Sequence, residues 1–372
     1  MLKKNCRHYR DDRPCCYHKQ EGIVCSACSC YSPIKYRILI IKLDAIGDVL
    51  RTTCILHGLK KKYPGAGIFW LTKKASIPLL QNNPLIETLW SLEDDAHIVL
   101  NTDDFDLVIN PDASPTSARL ATIARSNIKL GFGYNSRGYT YPYNEEAMQW
   151  FQLGVNDQLK KANTETYQTI IMRMCRLNSS KRDIVYSLTL QEAEFVHQFR
   201  RRYRLQHNGL IVGMNTGASG RWPQKKWTVE GYISLIHSLI DHSDGIRVLL
   251  FGGPGERERN SFIMRTIGSE AVIDTGHNNT LRNFAALLSI PDVLVTGDTL
   301  AMHLALALNR KVIALFGPTS HNEIDLYGLG EKIYPDMDCL VCYKQTCDKS
   351  PTCMQLIKPE TVYLSITKLL GI

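Results

Sequence analysis

The sequence predicts an α/β protein made of two Rossmann-like halves in series, preceded by a small cysteine-rich extension. Short apolar runs alternate with helical segments from residue 36 to 132, and the pattern restarts near residue 191 and runs to residue 370. Several apolar runs also end in small polar turns. The clearest is Val293-Leu294-Val295-Thr296-Gly297-Asp298-Thr299-Leu300-Ala301-Met302-His303, a buried strand feeding a tight turn and a helix. The unpaired N–H groups of a first helical turn, with the helix dipole, attract an anion. Asp298 can accept from hydroxyls or cap the helix, and Thr299 can donate to a phosphate. A second strand, 311–316, ends in Gly317-Pro318-Thr319-Ser320. Two strands with polar loops at their carboxyl ends suggest a nucleotide site in an α/β sheet.

In the first half, the sequence predicts a strand over 36–42, a turn over 43–48 and a helix from about 49 to 62 that Pro64-Gly65 stops. Strands follow at 68–72, 86–90, 105–110 and 128–132, with a short helix at 76–81 and another running from Pro111-Asp112 through Ala124. Residues 139–160 are less regular and read as acceptor-side loops. A helix over 164–175 leads to a linker at 178–182. The second half has helices at 191–203, 229–241, 257–267 and 281–288. Its first strands, 210–215 and 247–251, end in Thr216-Gly217-Ala218-Ser219-Gly220 and Gly252-Gly253-Pro254-Gly255-Glu256, and 271–274 is short and extended. The last helix, 359–370, opens on a proline and stops before Gly371. No internal repeat is visible. The expected division is a cysteine-rich extension at 1–35, Rossmann-like domains at 36–182 and 183–358, which the family resemblance given below makes the acceptor side and the nucleotide-sugar side, and a C-terminal helix at 359–372, the two domains facing each other across a cleft.

The 372 residues are 44% hydrophobic and 22% charged, ordinary for a chain that buries two cores. No apolar run approaches the ~20 residues of a membrane span, and Met1-Leu2-Lys3-Lys4-Asn5-Cys6 has no secretory core, so the expectation is a cytoplasmic protein. The net charge of +8 suits an anionic partner, a nucleoside diphosphate or a phosphorylated glycolipid. Runs such as Lys60-Lys61-Lys62 and Arg200-Arg201-Arg202 read equally well as solvated surface.

Taken in order, several motifs resemble one family: Ile38-Leu39-Ile40-Ile41-Lys42 with Gly47-Asp48-Val49-Leu50; Asn215-Thr216-Gly217-Ala218 with Arg221-Trp222-Pro223 and Lys225-Lys226-Trp227; Gly297-Asp298-Thr299 through His303; and Ala314-Leu315-Phe316-Gly317-Pro318-Thr319. They are similar to the family nine glycosyltransferases, the heptosyltransferases of lipopolysaccharide core assembly and their relatives. The resemblance spans about residues 36–370. It implies a GT-B fold and inverting transfer from a nucleotide-activated sugar, usually ADP-heptose, without an obligatory metal or catalytic cofactor. The acceptor it implies is an anionic glycolipid or glycan, met in peripheral contact with the inner membrane surface.

An inverting transfer needs a base for the acceptor hydroxyl. Asp48 follows the first strand, and the resemblance makes it the base; a plain helix-start acid is the alternative, and Asp44 the internal rival. Charge builds on the leaving diphosphate. Lys225 matches the family's lysine there, with Arg221 second because a guanidinium can hold phosphate bidentately. Thr216, Gly297, Asp298 and Thr299 complete the donor set through hydroxyls and backbone. Glu256 sits where family members present a carboxylate to a ribose, or is simply a first-turn acid. His303 faces the nucleotide or the helix interior. One departure stands out: family members commonly have glycine where this chain has Leu300. Two Asp-x-Asp triplets, Asp104-Phe105-Asp106 and Asp336-Met337-Asp338, lie away from the phosphate turns and read as coincidence.

Twelve cysteines in a cytosolic chain do not suggest disulfides. Cys54 and Cys175 sit among apolar residues as small core side chains. Cys25-Ser26-Ala27-Cys28 has the knuckle spacing of a tetrahedral zinc site, which Cys6 and Cys15 complete, with Cys16, Cys30 and His18 in reserve. An iron–sulfur cluster takes four thiolates equally well, and unligated thiols are the third reading. Cys339 and Cys342, with Cys347 and Cys353, spell a second metal site or a loop of free thiols. Two readings compete with the core heptosyltransferase: a transferase acting on protein or using another nucleotide sugar, and a cysteine-knuckle protein that reads nucleic acid or redox state on a transferase scaffold. Arg7, His8, Tyr9, Arg10, Arg13, Tyr17 and Lys19 partly suit the latter; Asp48, Lys225, Asp298 and Glu256 together favour the enzyme over a nucleic-acid partner.

Overall fold

A computed structural model of the chain describes residues 1–94, 96–205, 209–218, 220, 222–243 and 245–372. The chain divides into two compact units. One comprises residues 1–151 and 168–182, the other 152–167 and 183–372, so residues 152–167 pack with the second unit although they lie within the 36–182 stretch.

The sheet of the first unit contains β1 (Tyr36–Ile41), β2 (Ala66–Thr72), β3 (Thr88–Ser91), β4 (Leu107–Asn110), β5 (Lys129–Tyr134) and β6 (Thr140–Pro142), in the order β3-β2-β1-β4-β5-β6. All neighbours are parallel except the β5–β6 hairpin. Ile38 to Ile41 are fully buried, as expected of a central parallel strand covered on both faces. Leu39, Ile41, Phe69, Leu71 and Val108 form one core with Phe105 and the helix Ala96–Thr102.

The second unit repeats the plan with β7 (Ile211–Asn215), β8 (Arg247–Phe251), β9 (Val272–Asp274), β10 (Val293–Gly297), β11 (Lys311–Leu315) and β12 (Gly330–Ile333), all parallel, in the order β12-β11-β10-β7-β8-β9. The helix Val229–His242 and the last helix, Pro359–Leu370, close its core over Val212, Val295 and Ile313. In each sheet the strand order reverses once, between β1 and β4 and between β7 and β10. Such a switch point opens a crevice at the carboxyl ends of the strands, where open α/β sheets bind ligands.

Several elements differ from the sequence expectation. The helix placed at 49–62 begins earlier, at Ile46, and is interrupted by a 3₁₀ turn over Thr53–Ile55. Thr52 Oγ1 donates to the Asp48 carbonyl at 2.5 Å and Thr53 Oγ1 to the Leu50 carbonyl at 2.7 Å, back-bonding that disturbs a helix. The irregular stretch after residue 139 contains β6 and two helices, Met148–Val155 and Asp157–Ala162. The helix Ala96–Thr102 and the charged edge strand β12 were not expected. Leu300 is the first residue of the helix Leu300–Ala307 and is not among the positive-φ residues. A side chain is therefore tolerated where the family commonly has glycine.

Candidate functional site

At the β7/β10 switch point each strand releases a polar turn: Thr216-Gly217 after β7 and Asp298-Thr299 after β10. Asn215, the last residue of β7, joins them. Its Nδ2 donates to Thr296 Oγ1 at 3.0 Å, to Thr299 Oγ1 at 3.2 Å and to the Gly217 carbonyl at 3.2 Å. Thr299 stands at the N-cap of the helix Leu300–Ala307, yet its side chain makes no cap hydrogen bond. No capping hydroxyl blocks the first-turn N–H groups, the arrangement that receives an anion.

Lys225 ends the 3₁₀ turn Pro223–Lys225. Its Nζ lies 2.7 Å from Asp298 Oδ2 and 3.1 Å from the Asp298 carbonyl, and Thr319 Oγ1 donates to the same Oδ2 at 2.8 Å. Burial alone raises the Asp298 carboxyl. The Lys225 charge and hydrogen bond, then His303 and Thr319, outweigh it and hold the group at about 2. His303 is buried on the same helix. A Cβ on Gly297 would stand 2.9 Å from the Lys225 carbonyl, so only glycine lets the lysine turn approach the strand end this closely.

A second pair lies beside it. Lys226 Nζ is 2.7 Å from Glu256 Oε1, and Glu256 Oε2 accepts the Gly253 N–H at 3.1 Å. Cβ atoms on Gly217 and Gly252 would fall 2.9 and 2.7 Å from Glu256 side-chain carbons, so these glycines make room for the carboxylate. The Thr216 hydroxyl points inward, within 2.5 Å of Asn260 Oδ1 and 3.2 Å of the Phe251 carbonyl, and its N–H donates to the same carbonyl at 3.2 Å. Arg221 lies outside the described residues. Gly297, Asp298, Thr299, Lys225 and His303 come together, and Glu256 stands on the next turn. Sequence reasoning missed Asn215, Lys226, Asn260 and Thr319 as members of this network. Asn215 and Thr319 were visible as polar residues at strand ends, but their pairings cross 81–84 and 21 residues of sequence.

The β1/β4 switch point in the first unit is furnished differently. Asp48 lies in the first turn of the helix Ile46–Thr52. Its Oδ2 accepts the Ala45 N–H at 3.3 Å, and its Oδ1 meets Arg51 Nε at 2.8 Å. Asp48 thus performs the helix-start role, while its side chain stays 36% exposed against 8% for Arg51, so one edge of the carboxylate faces outward. Asp44 pairs with Lys73 at 2.6 Å and donates its N–H to Asp112 Oδ2 at 3.4 Å. Buried Lys42 bridges the Asp44 carbonyl and Asp112. Asp104 and Asp106 sit at the opposite, amino end of β4, engaged by Arg125 and by Arg37.

All twelve cysteines are free thiols. Among the described residues no group of three or more His, Cys, Asp or Glu could hold a metal ion. The residues as placed therefore do not fit a single zinc ion, either at Cys6, Cys15, Cys25 and Cys28 or at Cys339, Cys342, Cys347 and Cys353. Tetrahedral zinc requires thiolates about 3.8 Å apart, each some 2.3 Å from the ion. In the second group, burial pushes the Cys353 thiol up to about 11, and Cys342, Cys347 and Cys339 add to the rise. That loop folds back on the second phosphate turn: Val341 N donates to the Gly317 carbonyl at 3.2 Å and Tyr343 N to the Pro318 carbonyl at 2.8 Å.

Two predominantly parallel sheets, each with a polar switch point, make this a two-domain α/β protein that resembles the GT-B heptosyltransferases. The model for glycosyltransferase family 9 (heptosyltransferase) matches residues 99–352, and the chain belongs to that family. Lipooligosaccharide heptosyltransferase 2 of Campylobacter jejuni subsp. jejuni serotype O:6 is 26% identical over 181 residues, covering 47% of this chain and 56% of the relative, so the chain spans about half the length of that relative. A family 9 glycosyltransferase from Veillonella parvula shares the fold with a TM-score of 0.73 at 19% identity, covering 91% of this chain and 98% of that one. The ADP-heptose lipopolysaccharide heptosyltransferase II of Escherichia coli gives 0.66 at 22% identity, with 90% and 98% covered.

Proposed function

We propose that this protein is an inverting glycosyltransferase that moves a heptose from ADP-heptose to an anionic acceptor of the lipopolysaccharide-core type. The observation behind this reading is the cluster of Lys225, Asp298 and Thr319 beside the uncapped helix N-terminus at Thr299. It is a diphosphate site in which the lysine is already oriented. Family membership and the ADP-heptose enzyme with the same fold support the donor. Lys225 and the first-turn N–H groups meet the diphosphate, and Asp298 stays ionised to hold Lys225 in place. Glu256 receives the ribose hydroxyls, and Arg221 adds a second cation to the phosphates.

Asp48 takes the proton of the acceptor hydroxyl as that oxygen attacks the anomeric carbon and the nucleoside diphosphate leaves. Arg51 fixes the orientation of its carboxylate. The chemistry needs no metal, since positive charge and backbone donors serve the leaving group. No helix of the described residues is long and apolar enough to cross a membrane. The net charge of +8 supports a reading in which the protein works at the cytoplasmic face and touches the anionic inner membrane peripherally. Thermal stabilisation by a panel of nucleotide sugars tests the donor. ADP-heptose at about 100 times its Kd adds roughly 2.7 kcal/mol. A larger effect from a UDP- or GDP-sugar would reassign the donor.

A further inference from the structure

The N-terminal segment holds a feature the transferase reading does not use. None of residues 1–37 is buried. The segment's helix, Cys16–Glu21, buries nothing, and neither does its 3₁₀ turn Cys25–Ala27. Only the base of the segment is tied down. Arg7 N donates to the Ser32 carbonyl at 2.9 Å, Ile34 N to the Asn5 carbonyl at 2.7 Å, and Arg7 Nη1 reaches Glu87 at 2.8 Å. Between these clamps residues 8–30 form a closed loop around a cavity of about 360 Å³. The cavity is lined by Cys6, Cys15, Cys25, Cys28, Cys30 and His18, while Cys16 is exposed and lies outside it.

Ordering more than 30 residues without burial costs far more than these few hydrogen bonds return. A group that bonds the walls directly is the usual solution for a small segment without a core. A zinc ion draws four sulfurs into contact with one another. Here the five thiols line a common cavity of about 360 Å³, far more space than one ion fills and enough for an inorganic core. A cluster has the opposite geometry: each thiolate bonds a different iron, so its sulfurs stand apart around an inorganic core. Lys3, Arg10 and Arg13 also line the cavity against the single carboxylate of Asp11. This excess of positive charge suits a core that is anionic once four thiolates are attached.

We propose that the N-terminal segment is an iron–sulfur cluster site, with Cys6, Cys15, Cys25 and Cys28 as the ligands. Each thiol gives up its proton and bonds one iron of the cluster. The site belongs to the first unit and is independent of the donor reading, so the failure of one leaves the other standing.

The test uses the full chain purified without oxygen. Iron and acid-labile sulfide in equal amounts, about four of each per chain, with a broad visible absorption that bleaches on reduction, support the proposal. Zinc near one per chain without sulfide, or neither metal with all thiols titrating, overturns it. Cys25→Ser with Cys28→Ser removes both iron and sulfide, while Cys30→Ser, Cys16→Ser and Cys339→Ser with Cys342→Ser keep them. Should the Cys25/Cys28 variant fail to fold, the sulfide content of the wild-type chain together with retention in the Cys339/Cys342 variant still decides. Loss of sulfide from that last variant would move the cluster to the other cysteine loop and refute the assignment.

Discussion

The two switch points occupy the same topological position but differ in how they treat charge. At β7/β10 the pairs are largely enclosed: Lys225 and Asp298 are 13% and 16% exposed, and Lys226 and Glu256 29% and 10%. At β1/β4 the carboxylates look outward, Asp44 at 56% and Asp48 at 36%, while Lys42 and Arg51 lie buried behind them. An enclosed lysine held by an ionised aspartate is preorganised for a ligand already charged in its ground state. An outward carboxylate backed by a buried cation is suited to a substrate that arrives neutral at its hydroxyl and becomes charged in the transition state. The two switch points thus differ in enclosure: both members of the Lys225–Asp298 pair are sheltered, whereas at β1/β4 only the cations are.

The strongest way to break this comparison is to neutralise Asp48. Asp48→Asn lowers turnover by about 10²–10⁴-fold while donor affinity stays near wild type, because a base acts on the acceptor. Full activity would transfer the role to Asp44. Next comes Lys225→Ala, which leaves the Asp298 carboxylate enclosed without its partner and costs ~3 kcal/mol in chemical denaturation. Adding Asp298→Asn to it recovers much of that loss, as a double-mutant cycle for a coupled pair requires. A single-variant cost below about 0.5 kcal/mol would make the pair an ordinary solvated one.

The pair also has a pH signature. The Asp298 carboxyl is depressed from 3.8 to about 2, so its stabilising contribution is fully present above the unfolded value and is lost as pH falls through the folded one. The stability gap between wild type and Lys225→Ala should be flat from pH 7 to about pH 5 and shrink below about pH 4. A gap that persists unchanged down to pH 2 contradicts the assignment. Glu256→Gln, which weakens the hold on Lys226, should loosen donor binding by roughly tenfold, about 1.4 kcal/mol, in titration calorimetry if Glu256 receives the ribose as proposed. The smallest effect belongs to Lys73→Ala. It opens the exposed pair with Asp44 and should change stability by only about 0.2–1 kcal/mol.

The sequence showed the scaffold more readily than the wiring. β8, the helix Arg257–Ile267 and the helix Pro359–Leu370 fall where glycine, proline and apolar runs place them. β12 and β6 did not, because Gly-Glu-Lys-Ile and Thr-Tyr-Pro lack an apolar pattern and become strands only by pairing at a sheet edge. Lys225, Asp298 and Glu256 stood out as residue types at strand ends, but which lysine meets which carboxylate is fixed by chain crossings of 73 and 30 residues. Arg51 was invisible as the partner of Asp48, since a charge in the middle of a helix reads as surface until its burial is known. The spacing of Cys25 and Cys28 suggested a metal, whereas the breadth of the cavity around them is a property of the fold.

Acceptor-dependent release of ADP from ADP-heptose tests the central claim most directly, followed in wild type and Asp48→Asn with donor binding measured on the same samples. Release is expected only when a lipopolysaccharide-core acceptor is present, with loss of that release in the variant and equal donor binding in both. Equal release with and without acceptor, or a variant that releases ADP as fast as wild type, would contradict it.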